Sequence, residues 1–85
     1  MAQPSQFVLK YTDSLQVKKG DTYSGSLFSA GTVLKMKTEN VNVSINDGIA
    51  FKTSFDDEAY VDVTATYKFD RDCVLAIGIM TEVVV

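Results

Sequence analysis

The sequence predicts an all-β fold: a small antiparallel β-sandwich or barrel, built on a C-terminal meander of about five strands spanning residues 33–85. Three observations carry this. From Ala59 to Phe69 the chain alternates, with Ala59, Val61, Val63, Ala65, Tyr67 and Phe69 on one side and Tyr60, Asp62, Thr64, Thr66 and Lys68 on the other. That is the period of a strand with one dry and one wet face. Cys73–Met80 is apolar on both sides. No stretch repeats at 3.6 residues, and valine, threonine, tyrosine and phenylalanine are plentiful beside one proline, Pro4, a strand-forming composition.

The elements follow in order within a single domain of residues 1–85. Residues 1–6 are polar and read as a loose N-terminal arm. Phe7, Leu9 and Tyr11 mark a first short strand, and Thr12-Asp13-Ser14 a turn. Leu15 and Val17 lead to a Lys18-Lys19-Gly20 hairpin loop with Gly20 left-handed, setting Leu15 opposite Tyr23. Thr22–Phe28 is a weak strand, and Ala30-Gly31 turns the chain. In the meander, a turn at Glu39-Asn40 sets Met36 opposite Val43. A loop at Asn46-Asp47-Gly48, with Gly48 left-handed, sets Val43 opposite Phe51. Asp56-Asp57-Glu58 sets Thr53 opposite Val61, and Asp70-Arg71-Asp72, with Asp72 left-handed, sets Tyr67 opposite Leu75. Each register keeps apolar residues together, because a slip of one residue would turn a strand's apolar set to water.

Eighty-five residues at 46% apolar support one modest core. A net charge of −3 repels phosphate backbones, which disfavours general nucleic-acid binding. The chain has no histidine, the commonest general base and zinc ligand. Its glycines are scattered and no serine is paired with a base, so catalysis is not expected and no cofactor is implied. The carboxylates at 56–58 and 70–72 lack calcium-loop spacing, so no metal is expected. Cys73 is the only cysteine, which rules out an internal disulfide; it reads as a buried thiol. Residues 1–6 lack a signal peptide's charged and apolar regions, and no apolar run reaches the roughly 20 residues of a membrane helix. No membrane contact is expected.

The last strand carries the functional expectation. Leu75, Ile77 and Ile79 serve the core, while Val74, Ala76, Gly78, Met80 and Val84 point the other way and the chain ends Val83-Val84-Val85. As a final meander strand it leaves an apolar face and an open backbone edge, which monomers avoid. Either the strand pairs with Phe7–Tyr11 or another subunit covers it. The predicted interface is Val74, Ala76, Met80, Val83, Val84 and Val85, and the partner is protein: a larger assembly or further copies in a homo-oligomer. The alternative is a small-ligand or carbohydrate module on a polar sheet face of Tyr60, Asp62, Thr64 and Lys68. In size and strand-rich texture, without any shared motif, the chain is similar to the small β-rich decoration and accessory proteins of phage capsids. That likeness implies a virion location beside the cytoplasmic one.

Overall fold

A computed structural model describes residues 5–84. It contains β1 (Ser5–Val17), β2 (Thr22–Ser24), β3 (Val33–Met36), β4 (Val41–Ile45), β5 (Phe51–Thr53), β6 (Glu58–Tyr60), β7 (Thr66–Phe69) and β8 (Cys73–Val84), with one 3-10 turn at Gly25–Leu27. The strands form two four-stranded antiparallel sheets, ordered β1-β8-β3-β6 and β2-β7-β4-β5.

This order has a simple origin. β1 pairs with β8, β2 with β7, β3 with β6 and β4 with β5. The chain is therefore one long hairpin with its apex at residues 46–50. Its two arms stay bonded between strands: Gly20 N–H donates to Phe69 O (3.2 Å), Gly25 N–H to Ala65 O (2.8 Å), Val61 N–H to Thr32 O (2.8 Å) and Met36 N–H to Asp57 O (2.8 Å). Three paired corners fold the hairpin back on itself, and the β3–β8 and β4–β7 ladders close the wrap. The result is a miniature jelly roll.

The core lies between the sheets. Val17, Met36, Cys73 and Leu75 come from one sheet and Val41, Val43, Tyr67 and Phe69 from the other, with Val61 and Ala65 from a corner. Apart from those in β8, most of these positions alternate with polar residues, which is why the dry face was legible in the sequence. The Tyr67 hydroxyl accepts the Asp62 N–H at 2.8 Å, so its buried phenol is satisfied.

The expected meander is not formed. Only its β4–β5 contact exists, with Val43 opposite Phe51 as predicted. Residues 39–40, 56–57 and 70–72 belong to corners that carry the chain between sheets, and Glu58 already begins β6. Met36 therefore meets Leu75, and Val43 meets Phe69. A corner keeps the dry side dry as well as a hairpin turn does, so alternation does not separate the two.

The expected strand at 59–69 is broken for a local reason. Asp62 Oδ1 accepts both the backbone N–H (2.9 Å) and the hydroxyl (2.6 Å) of Thr64, and Ala65 N–H reaches Asp62 O. This side-chain turn moves the chain from one sheet to the other while Val61 and Ala65 stay buried. Lys18-Lys19-Gly20 is likewise a corner, although Gly20 is left-handed (φ 84°) as predicted. Thr12-Asp13-Ser14 lies within β1. At the apex Asn46 and Asp47 have positive φ in place of Gly48, and at the corners Asn40 and Asp56 do so but not Asp72. Ser5 and Gln6 of the expected loose arm pair with Val84 and Val83; its other residues lie outside the described ones.

One corner is tied by charge. Asp70 accepts the Asn42 side-chain amide (2.8 Å) and backbone N–H (2.9 Å), and these bonds hold its carboxyl below the usual range. Thr64 does the same to Asp62. A depressed carboxyl contributes stability above its unfolded pKa, and loses it as pH falls through the folded value. The urea midpoint should therefore drop as pH is lowered below about 4. The double variant Asp62→Asn/Asp70→Asn should show a shallower drop; an unchanged acid slope would refute this assignment.

Candidate interaction surface

β1 and β8 are far longer than their neighbours. β3 pairs with β8 only from Leu75 to Gly78, whereas β1 follows β8 along its whole length, from Val17 opposite Cys73 to Ser5 opposite Val84. The outer half of the pair leaves the sandwich as a two-stranded ribbon. The molecule accordingly measures 52 × 24 × 18 Å with a radius of gyration of 14.5 Å, where a compact chain of this length would have about 12 Å.

A bulge decides what the ribbon shows. The β1 register shifts between Tyr11 and Asp13, leaving Thr12 without an opposite residue. On the sandwich side of the bulge, Leu15 and Val17 sit opposite the core residues Leu75 and Cys73. Beyond it, Phe7, Leu9 and Tyr11 sit opposite Glu82, Met80 and Gly78 on the outer face. Val8, Lys10, Ile79, Thr81 and Val83 occupy the other face. Both faces are apolar and open: Phe7 is 63% exposed and Val84 62%, and Val8, Ile79, Met80 and Val83 are also exposed.

Where the ribbon leaves the sandwich it is latched. Tyr11 crosses the face of β8 over Gly78, where a side chain would meet the Tyr11 ring and Leu9 at 2.9 Å. The Tyr11 hydroxyl donates to Glu58 of β6, and the Lys35 ammonium lies 4.5 Å from the ring centroid, a cation–π contact. Partial desolvation, the hydrogen bond to Glu58 and the charges of Glu58 and Asp56 push the Tyr11 phenol up to about 12. A raised phenol favours the folded state up to its unfolded pKa near 10 and loses that contribution as pH climbs to the folded value. In an alkaline titration followed by phenolate absorbance, Tyr11 should ionise late among the four tyrosines. Tyr11→Phe should remove that late step; a step that persists would break the assignment.

The predicted interface residues are thus divided. Met80, Val83 and Val84 are on the ribbon and exposed, with Val83 on the face opposite the other two. Val74 and Ala76 are half-buried on the outer face of the sandwich, between β1 and β3. Val85 lies outside the described residues. β8 is not an edge strand over Leu75–Gly78, since it pairs on both sides there. The pairing with Phe7–Tyr11 weighed from the sequence is the one observed. Sequence reasoning passed over Phe7, Val8 and Leu9 as interface residues; their signal was an apolar run on both faces, the same as in β8.

The polar face suggested for ligand binding is not assembled. Tyr60 is exposed on β6, opposite Val33 in one sheet. Lys68 pairs with Thr22 and Ser44 in the other sheet. Asp62 and Thr64 are bonded to each other in the corner between them. A different concavity exists instead. The sandwich gapes between its edge strands β5 and β6 in a cleft of about 320 Å³, lined by Leu34, Met36, Val43, Phe51, Tyr60 and Leu75 among others.

Cys73 is buried, and burial together with the charges of Asp70 and Asp72 pushes its thiol pKa up. Among the described residues no three of His, Cys, Asp and Glu converge on a metal position, and no helix is long and apolar enough to cross a membrane. No family model, no curated protein and no solved structure matches the chain.

Proposed function

We propose that this protein is a non-enzymatic assembly module. It self-associates, or docks on a larger protein assembly, through the ribbon formed by the outer halves of β1 and β8. One observation carries the reading: six apolar residues stand exposed on both faces of a two-stranded ribbon. Such ribbons are marginal in water on their own, and exposed apolar patches of this kind mark interaction sites. Capsid decoration is one role of this type, and viral capsid domains use the same wrap; that link is an analogy of fold alone.

Light scattering tests the reading. The full chain should show a mass above the 9.3 kDa of one copy. Met80→Lys/Val83→Lys, which puts one charge on each ribbon face, should return it to that value. A 9.3 kDa full chain whose ribbon amides resist hydrogen exchange as firmly as those of β3 and β4 would defeat it, because an arm stable by itself needs no partner.

The cleft favours a second reading, a small-ligand or carbohydrate module. Its volume lies at the low end of ligand pockets, and Phe51 and Tyr60 are among its lining residues. Glycan binding lost on Phe51→Ala and on Tyr60→Ala would support this; no binding to any glycan would remove it.

A further inference from the structure

An open strand edge invites another strand, and proteins guard such edges with short strands, charges or bulges. Most edges here are guarded. β2, β5 and β6 have three residues each. The free edge of β1 carries Lys10, Asp13 and the Thr12 bulge. The exception is β8 beyond Gly78. Its residues Ile79–Val84 have β1 on one side and, among the described residues, no strand on the other, because the β3 ladder ends at Val33 opposite Gly78. That edge has no lysine, no proline and no bulge, and one charge, Glu82.

We propose that the β8 edge of one copy pairs antiparallel with the β8 edge of a second copy over Ile79–Val83. The two ribbons then make a four-stranded sheet, ordered β1-β8-β8-β1, across a two-fold axis. This rests on the ribbon being the docking element. It names the partner as this same chain and the contact as backbone pairing.

Charge and sterics choose the register. Two copies of one strand pairing about a two-fold axis are centred on a single residue, so that opposed residues share a face. Centring on Glu82 sets two carboxylates directly opposite, which is unfavourable. Centring on Met80 drives Glu82 of the second copy to Gly78, where β3 already pairs. Centring on Thr81 keeps the carboxylates apart and brings only Val84, the last residue of β8, to Gly78. It sets threonine against threonine and Ile79 against Val83, β-branched pairs suited to a sheet, and it sets Met80 against Glu82. The contact is isologous and closes at two copies.

Cysteine cross-linking reads the register directly. Under mild oxidation Thr81→Cys should form a covalent dimer in high yield, since directly opposed residues lie within disulfide reach. Ile79→Cys alone and Val83→Cys alone should not, because like residues there sit about 13 Å apart along the strands at 3.3 Å per residue. Mixed together, those two variants should cross-link. Cys73 is 4% exposed and stays silent. Thr81 is partly buried and cysteine is close to it in size, so the variant retains the fold, which hydrogen exchange of β3 and β4 checks. A folded Thr81→Cys that stays uncross-linked overturns the pairing, as does a full chain that remains at 9.3 kDa. If Thr81→Cys fails while Met80→Lys/Val83→Lys still lowers the mass, the ribbon remains the docking element and only the edge pairing falls.

Discussion

Gly25→Ala should cost about 3 kcal/mol or more, at or above the upper end of overpacking effects. Gly25 is buried at the start of the 3-10 turn. A Cβ built there would lie 1.9 Å from Asp62 O, 2.8 Å from its carbonyl carbon and 3.0 Å from Val63 Cα. These are backbone atoms, with no rotamer to yield. The backbone they belong to is pinned by the Thr64 bonds to Asp62 and by Asp62 N–H to the Tyr67 hydroxyl. The Gly25 N–H bond to Ala65 O holds the two segments at that spacing. Gly31→Ala is the control. Gly31 has φ 86° and open space around it, so the substitution should cost only about 1 kcal/mol for the left-handed backbone. Urea midpoints of the two variants decide the matter, and equal losses would show that the close approach is not what selects glycine at 25.

Phe69→Ala should lose about 3–5 kcal/mol, the usual range for emptying a buried phenylalanine site. Phe69 is 4% exposed and meets Tyr23 edge-on at 6.1 Å between centroids, so the ring joins β7 to β2. Its carbonyl also accepts from Gly20 at the corner beyond. Domains of this size have about 4–13 kcal/mol in all, so the variant should be largely unfolded at modest urea. Phe55→Ala, at a position 49% exposed beside Lys37, should cost far less. Comparable losses at the two positions would mean that the core is not centred where the sheets meet at β7.

The strand class, the dry face and the apex of the hairpin were legible because each is a local property. Tyr67 and Phe69 are buried and Tyr60 is exposed, as alternation requires, and the Val43–Phe51 register follows from a short loop. Which strand lies beside which was not legible. Met36 could face Val43 or Leu75 with equal comfort for its apolar side chain, and the choice is made by corners about 20 to 50 residues apart in the chain. The Asp62–Thr64 turn hid inside an unbroken alternation, because Val61 and Ala65 remain dry on both sides of it. Of the candidate surface, β8's two-sided apolar character could be read directly. Its length beyond β3, and the bulge that turns Phe7 outward, could not, since both depend on where a neighbour stops.

The nested pairing of the arms also sets an order of assembly in time. The β4–β5 turn joins residues a few positions apart, whereas Ser5 and Val84 close a loop spanning nearly the whole chain. Closure entropy rises with that span, and distant contacts form late. Zippering should start at the apex and reach the ribbon last, so pulse-labelled hydrogen exchange should protect Val41–Thr53 before Phe7–Tyr11. On the proposed function, a nascent or misfolded copy would lack its docking arm, and only a chain that has finished folding could associate.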